Sequence, residues 1–136
     1  MTYLFDTDTL SNLLKRAPSP TLLARLAATP LAEQATTAIN LGELVYGATR
    51  LGPRGAALRE RIERILLAEL TILPFDAAAA RRYGPLRADL ERQGLPLAEA
   101  DLRIAAIALA HGRIVVTANT RHFGRIGELV VENWIA

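Results

Sequence analysis

Apolar residues recur along this chain at two different spacings, and the alternation of the two predicts its elements. Tyr3–Phe5 is a short apolar run ended by Asp6 and reads as a first strand. Over 7–15, Leu10, Leu13 and Leu14 fall at helical spacing, and Pro18 and Pro20 close the segment. Leu22, Leu23 and Leu26 repeat that pattern over 21–28. Residues 35–39 have a β-branched centre and predict a second strand, after which Leu41, Leu44 and Val45 open a helix ending near Gly52 and Pro53. The clearest helix is 54–70, where Leu58, Ile62, Ile65, Leu66 and Leu70 form one stripe and Arg59, Glu60, Glu63 and Arg64 lie off it. Thr71–Leu73 predicts a third strand stopped by Pro74, and Asp76 caps a helix that ends at Gly94. Residues 102–109 are apolar almost all round, which predicts a central, buried helix. Ile114–Val116 predicts a fourth strand and 129–131 a fifth.

A helix separates nearly every strand from the next, and no hairpin signal such as Asn-Gly appears. Parallel strands need such crossovers, so the pattern predicts an α/β protein: a mostly parallel sheet of four to five short strands with helices on both faces. At 136 residues the chain is predicted to be a single three-layer domain spanning 1–136.

Composition narrows the chemistry. There is no cysteine, which excludes disulfides, thiolate metal sites and thiol nucleophiles. The N-terminal stretch lacks the basic leader of a signal peptide, and no run reaches the roughly 18 apolar residues of a membrane span, so a cytoplasmic location is expected. Net charge is only +2, but fifteen of the sixteen cations are arginine, Lys15 being the exception. A GC-rich genome accounts for that bias, and so does arginine's bidentate fit to phosphate; composition does not separate the two.

In an open parallel sheet, ligands bind beyond the carboxyl ends of the strands. Asp6 ends the first strand, Glu43 lies in the first turns of the helix after the second, and Asn119 follows the fourth just after Thr117. Asp101 opens the buried helix, at the positive end of its dipole. Asp8, two residues after Asp6, falls beyond the end of the first strand too; an acid near a helix start also serves as a cap, and a solvated first-turn acid is the plain alternative for Asp8. Glu43 sits among core-like neighbours, Leu41, Leu44 and Val45, so its charge needs a partner. If Asp6, Glu43 and Asp101 converge, each pair about 4 Å apart repels by roughly 4 kcal/mol at an effective dielectric near 20. Such a cluster takes up protons or holds a cation, and oxygen-only donors favour Mg²⁺ or Mn²⁺. Phosphodiester hydrolysis is the natural reaction class.

Four blocks make the chain similar to the PIN-domain family, and within it to the VapC-type toxins of bacterial toxin–antitoxin pairs. They are Tyr-Leu-Phe-Asp-Thr-Asp-Thr-Leu-Ser at 3–11, Asn-Leu-Gly-Glu-Leu-Val-Tyr-Gly at 40–47, Ala-Asp-Leu-Arg-Ile-Ala-Ala-Ile-Ala at 100–108, and Val-Val-Thr-Ala-Asn-Thr-Arg-His-Phe-Gly-Arg-Ile at 115–126. The resemblance implies a Mg²⁺-dependent endoribonuclease in which Asp6 and Asp101 hold the ion directly and Glu43 does so directly or through water. Many relatives have a fourth acid where this chain has Asn119, whose carbonyl can coordinate without charge; one tightly bound ion is expected. Ser11 and Thr117 are expected to orient ligands or water, with ordinary backbone bonding the alternative for each. Arg121 and His122 stand where a substrate phosphate would lie, or else in a solvated loop. His111 reads as a dipole-complementing residue at a helix end. The resemblance further implies a cognate antitoxin, an RNA substrate and a homodimer. The leucine stripes at 10–14 and 22–26 offer a partner helix apolar surface, or only cover the sheet.

Phe-Asp-Thr-Asp-Thr-Leu is also similar to the first motif of haloacid-dehalogenase-type phosphatases. That chemistry needs a late lysine and a later paired-acid motif, and this chain has neither. A degenerate PIN-like module that binds RNA or a partner without cutting is the other alternative, and DNA cleavage a third.

Overall fold

The computed structural model describes all residues from Met1 to Ala136. Five strands, β1 (Tyr3–Phe5), β2 (Gln34–Thr37), β3 (Thr71–Leu73), β4 (Ile114–Val116) and β5 (Val131–Glu132), form one sheet in the order β3-β2-β1-β4-β5. Every neighbouring pair is parallel. Seven α-helices join and cover them: α1 (Thr7–Leu13), α2 (Pro20–Ala27), α3 (Ala38–Thr49), α4 (Ala56–Arg61), α5 (Ala77–Arg92), α6 (Glu99–His111) and α7 (Thr120–Phe123). None is long and apolar enough to cross a membrane.

Alternation along the strands sends side chains to opposite faces and so builds two cores. Leu4, Ala35 and Val115 face a cluster completed by Leu86 and Leu90 of α5 and by Leu102, Ile104, Ile107 and Ala108 of α6. Phe5 and Val116, one residue further on, face Leu10, Leu22, Leu44 and Ala48 of α1, α2 and α3, and Ile62 and Leu66 just beyond α4. Residues 102–109 are almost wholly buried, as the apolar run predicts, with Arg103 the exposed exception. Trp134 closes the second core edge-on to Tyr3 and Phe5, with the Arg25 guanidinium over its face at 4.6 Å.

Four boundaries differ from the periodicity. Pro20 opens α2 instead of closing α1: Ser19 caps that helix, and proline is well suited to a first helical turn, where its missing N–H costs nothing. β2 ends at Thr37, whose side chain accepts from the Asn40 N–H, so Ala38 and Ile39 belong to α3. β5 begins two residues late, at Val131. The helix over 54–70 is a composite: α4 passes at Ile62–Leu67 into a π-helical turn that keeps Ile62 and Leu66 buried. An apolar stripe so short does not separate α from π spacing.

Candidate active site

The chain builds the β2–β3 half of the sheet before returning to β4 on the other side of β1. Strand order therefore reverses at β1, and the crevice beyond the carboxyl ends of β1 and β4 is where such a sheet binds ligands. Asp6 stands there. Its N–H donates to the Val116 carbonyl at 2.9 Å, extending the ladder by one residue, and the side chain is only 7% exposed. Each carboxylate oxygen has its own donor: Asn40 Nδ2 reaches Oδ1 at 3.0 Å, and the Thr117 hydroxyl reaches Oδ2 at 2.8 Å.

Asn40 is fully buried one turn into α3. Its carbonyl oxygen accepts from the Thr37 hydroxyl at 2.6 Å, which leaves both amide hydrogens for Asp6 and for Thr7 Oγ1, the latter also at 3.0 Å. Thr7 in turn donates to Glu43 Oε1 at 2.6 Å. Asp6 and Glu43, 37 residues apart by number, are thus joined through one asparagine and one threonine. Glu43 corrects the expectation drawn from its neighbours: it is exposed, because Leu44 and Ala48 take the buried face of α3. Its partner is a hydroxyl, not a cation.

Asp8 departs from its solvated alternative. It is half-buried, and its Oδ2 accepts from the Ala118 N–H at 3.0 Å, bringing a further acid against the end of β4. Asp101 projects from the first turn of α6. Asp6, Asp8, Glu43 and Asp101 line one open cleft of about 660 Å³, with Asn119, Ser11 and Lys15 also on its walls. Thr117 is buried behind it, while Arg121 is exposed on α7 and does not line it. His122 is half-buried, near enough to Asp101 for its charge to favour the ionised acid. His111 lies exposed at the far end of α6, beside Gly112 in the left-handed conformation that terminates the helix.

Sequence reasoning left Asp8 open between cleft and solvent, and missed Thr7 and Asn40. A signal existed for the last: Thr37 and Asn40 stand at the spacing of a capping box.

Burial pushes the Asp6 carboxyl up to about 6, with the charges of Asp8 and Asp101 adding to it; the Thr117 hydroxyl and the Thr7 N–H pull the other way. Asp101 is also raised, first by burial and then by Glu43 and Asp8, against the opposing His122. The cleft thus penalises its own negative charge, which a cation relieves. No three acid or histidine side chains are drawn together as closely as ligands around an ion; they stand around the cleft. The donors are all oxygen, which fits a hard divalent cation and not zinc.

The PIN-domain profile matches residues 3–129. A VapC ribonuclease of Sinorhizobium fredii is 34% identical over 133 residues, covering 95% of each chain. The tRNA(fMet)-specific endonuclease VapC of Shigella flexneri is 40% identical over 100 residues, 72% of this chain and 73% of that protein. Among solved structures, VapBC2 from Rickettsia felis, bound to a DNA fragment from its promoter, superposes with a TM-score of 0.88 at 31% identity, covering 98% of this chain and 99% of that one. The five-stranded parallel sheet, the match across nearly the whole chain and these relatives agree: the chain belongs to the PIN-domain family, as a VapC-type toxin ribonuclease.

Proposed function

We propose that the acid cleft holds Mg²⁺, with Mn²⁺ as a substitute, and that the chain hydrolyses phosphodiester bonds of RNA there. The observation that carries this reading is that Asp6, Asp8, Glu43 and Asp101 line one cleft, with the carboxyls of Asp6 and Asp101 both raised by burial and by their acid neighbours. Asp6 and Asp101 hold the ion directly, and Glu43 directly or through water. Asn119 offers a carbonyl oxygen without charge. When bound, the ion supplies positive charge beside a phosphoryl oxygen and lowers the pKa of a water.

The protein's own part is positioning. Asn40 and Thr117 fix the two oxygens of Asp6, so that side chain loses little freedom when a ligand arrives. Thr7 aims Glu43. Ser11 and Arg121 border the path of a substrate strand in this reading. RNA as substrate rests on the relatives, two of which are named ribonuclease and tRNA-specific endonuclease.

The same reading gives the chain a cognate antitoxin and a cytoplasmic place of action, with a homodimer as the working unit. The antitoxin is supported by relatives solved as VapBC complexes. The test is cleavage of a panel of structured RNAs and single-stranded DNA by purified protein with Mg²⁺, with Mn²⁺ and with EDTA. Metal-dependent cutting of RNA is the expected result. Folded, partner-free protein that cuts no RNA in either metal overturns it.

A further inference from the structure

The Thr117 hydroxyl stands between two carboxylates. Its oxygen lies 2.8 Å from Asp6 Oδ2, and 3.4 and 3.3 Å from Asp8 Oδ1 and Oδ2. A hydroxyl has one proton to give, and the short contact takes it, so Thr117 serves Asp6. Thr9 divides in the same way: its hydroxyl lies 3.0 Å from the Val116 carbonyl and 3.3 Å from Asp8 Oδ1, and the shorter contact again goes elsewhere. This proton count leaves Asp8 with one committed donor, the Ala118 N–H on Oδ2 at 3.0 Å. Its Oδ1 has none. Both oxygens of Asp6, by contrast, are held.

Asp8 is half-buried and forms no ion pair. It stands in the first turn of α1, yet it is tied to the end of β4, a contact that spans 110 positions of the chain. The loop after β4 brings no acid of its own there: Thr117, Ala118 and Asn119 are neutral. Asn119 lines the same cleft, its N–H donating to the Thr117 oxygen at 3.0 Å. The carboxylate at the β4 end of the cleft is therefore supplied across the sheet, by Asp8.

We infer that Asp8 is a fourth acid holding the divalent ion, and that it supplies at the β4 end of the cleft the charge that Asn119 lacks. The inference deepens the metal-dependent nuclease reading and rests on it. Two carboxylates facing one hydroxyl repel each other, and a cation removes that repulsion. The Ala118 N–H fixes one oxygen of Asp8 and leaves the other free to bind, so little freedom is lost when an ion arrives. What the ion senses is charge at that place, so an acid at 119 can do the work of an acid at 8.

The experiment is calorimetric titration of folded, metal-free protein with Mn²⁺. Asp8→Asn keeps an oxygen for the Ala118 N–H and removes the charge, and it is expected to weaken Mn²⁺ binding by about 10- to 100-fold. The Asp8→Asn, Asn119→Asp double variant is expected to recover most of that loss. Glu63→Gln, which removes an exposed acid on the π turn, is expected to bind as the wild type does. Circular dichroism and urea denaturation establish that each variant is folded.

Mn²⁺ binding by Asp8→Asn equal to that of the wild type overturns the inference. A double variant as weak as Asp8→Asn also overturns it, since Asp8 then acts only by packing α1 against β4. An equal loss in Glu63→Gln overturns it as well, by making the effect one of net charge. Asp6→Asn separates the two readings. Weakened binding in that variant beside unchanged binding in Asp8→Asn removes only this inference, whereas a wild type that takes up no Mn²⁺ removes the metal reading and this inference with it.

Discussion

Asn40 holds Asp6 by a buried 3.0 Å hydrogen bond, and its second amide hydrogen goes to Thr7, the residue that steadies Glu43. The asparagine is fully buried and has no alternative partners in water. Removing it leaves Thr37, Thr7 and Asp6 each short of one bond.

Asn40→Ala is therefore predicted to cost about 1–3 kcal/mol of stability. It is also predicted to weaken Mn²⁺ binding by about 10- to 100-fold, as loss of a ligand's supporting contact does. Urea denaturation reads the first and calorimetric titration of folded protein the second. Loss of stability with unchanged Mn²⁺ affinity makes Asn40 a packing residue only.

Stability of the metal-free chain carries the signature of Asp6. Its folded-state value of about 6 lies above the ordinary 3.8, so between the two the folded chain binds the extra proton. Its contribution is greatest below 3.8 and falls as pH rises through 6, by up to about 3 kcal/mol at 1.36 kcal/mol per unit. Asp101, raised as well, acts in the same direction. The stability of Asp6→Asn relative to the wild type is predicted to rise between about pH 4 and about pH 7 in EDTA, measured by urea denaturation. A difference that stays flat with pH contradicts the buried, ionisable Asp6.

Asp8 gives a third prediction, since it lines the cleft and accepts from Ala118. Asp8→Asn removes its charge beside Asp6 and Asp101, both of which it raises. The Asp6 value, on which Asp8 acts more strongly than Asp101 does, is predicted to fall, as read by NMR titration of its carboxyl carbon, and divalent-ion affinity to drop. Unchanged titration of Asp6 places Asp8 outside the cluster.

How far the sequence carried depends on which physical feature left a mark in it. Asp6, Glu43 and Asp101 were legible because a strand end or a helix start is where a parallel sheet presents ligands, and the apolar runs locate those ends to within a residue or two. Asp8 was less so, because three residues after a strand an acid looks the same whether solvated or turned toward β4; only the fold supplies the Ala118 N–H. Asn40 left the spacing of a cap but not its purpose, since its partners come from the loop after a different strand. The alternation of apolar runs foretold the parallel sheet, whereas the β3-β2-β1-β4-β5 order depends on long-range pairing that no local pattern encodes.

Trp134 carries a prediction about the fold: it is 1% exposed, packs edge-on against Phe5 and donates to Glu132 at 2.9 Å. Trp134→Ala is predicted to cost about 3–5 kcal/mol. Urea denaturation reads the loss, and an unchanged stability contradicts the burial of Trp134 in the second core.

In the proposed mechanism the acids around the crevice hold the ion that makes RNA cleavage possible. Single-turnover cleavage of RNA across a Mg²⁺ titration tests it most directly, with wild type beside Asp6→Asn and Asp101→Asn, all shown to be folded. Saturable Mg²⁺ dependence is predicted in the wild type, with a loss of about a hundredfold in each variant and no loss of stability at neutral pH. Full activity in either variant, or cleavage by the wild type that persists in EDTA, contradicts it.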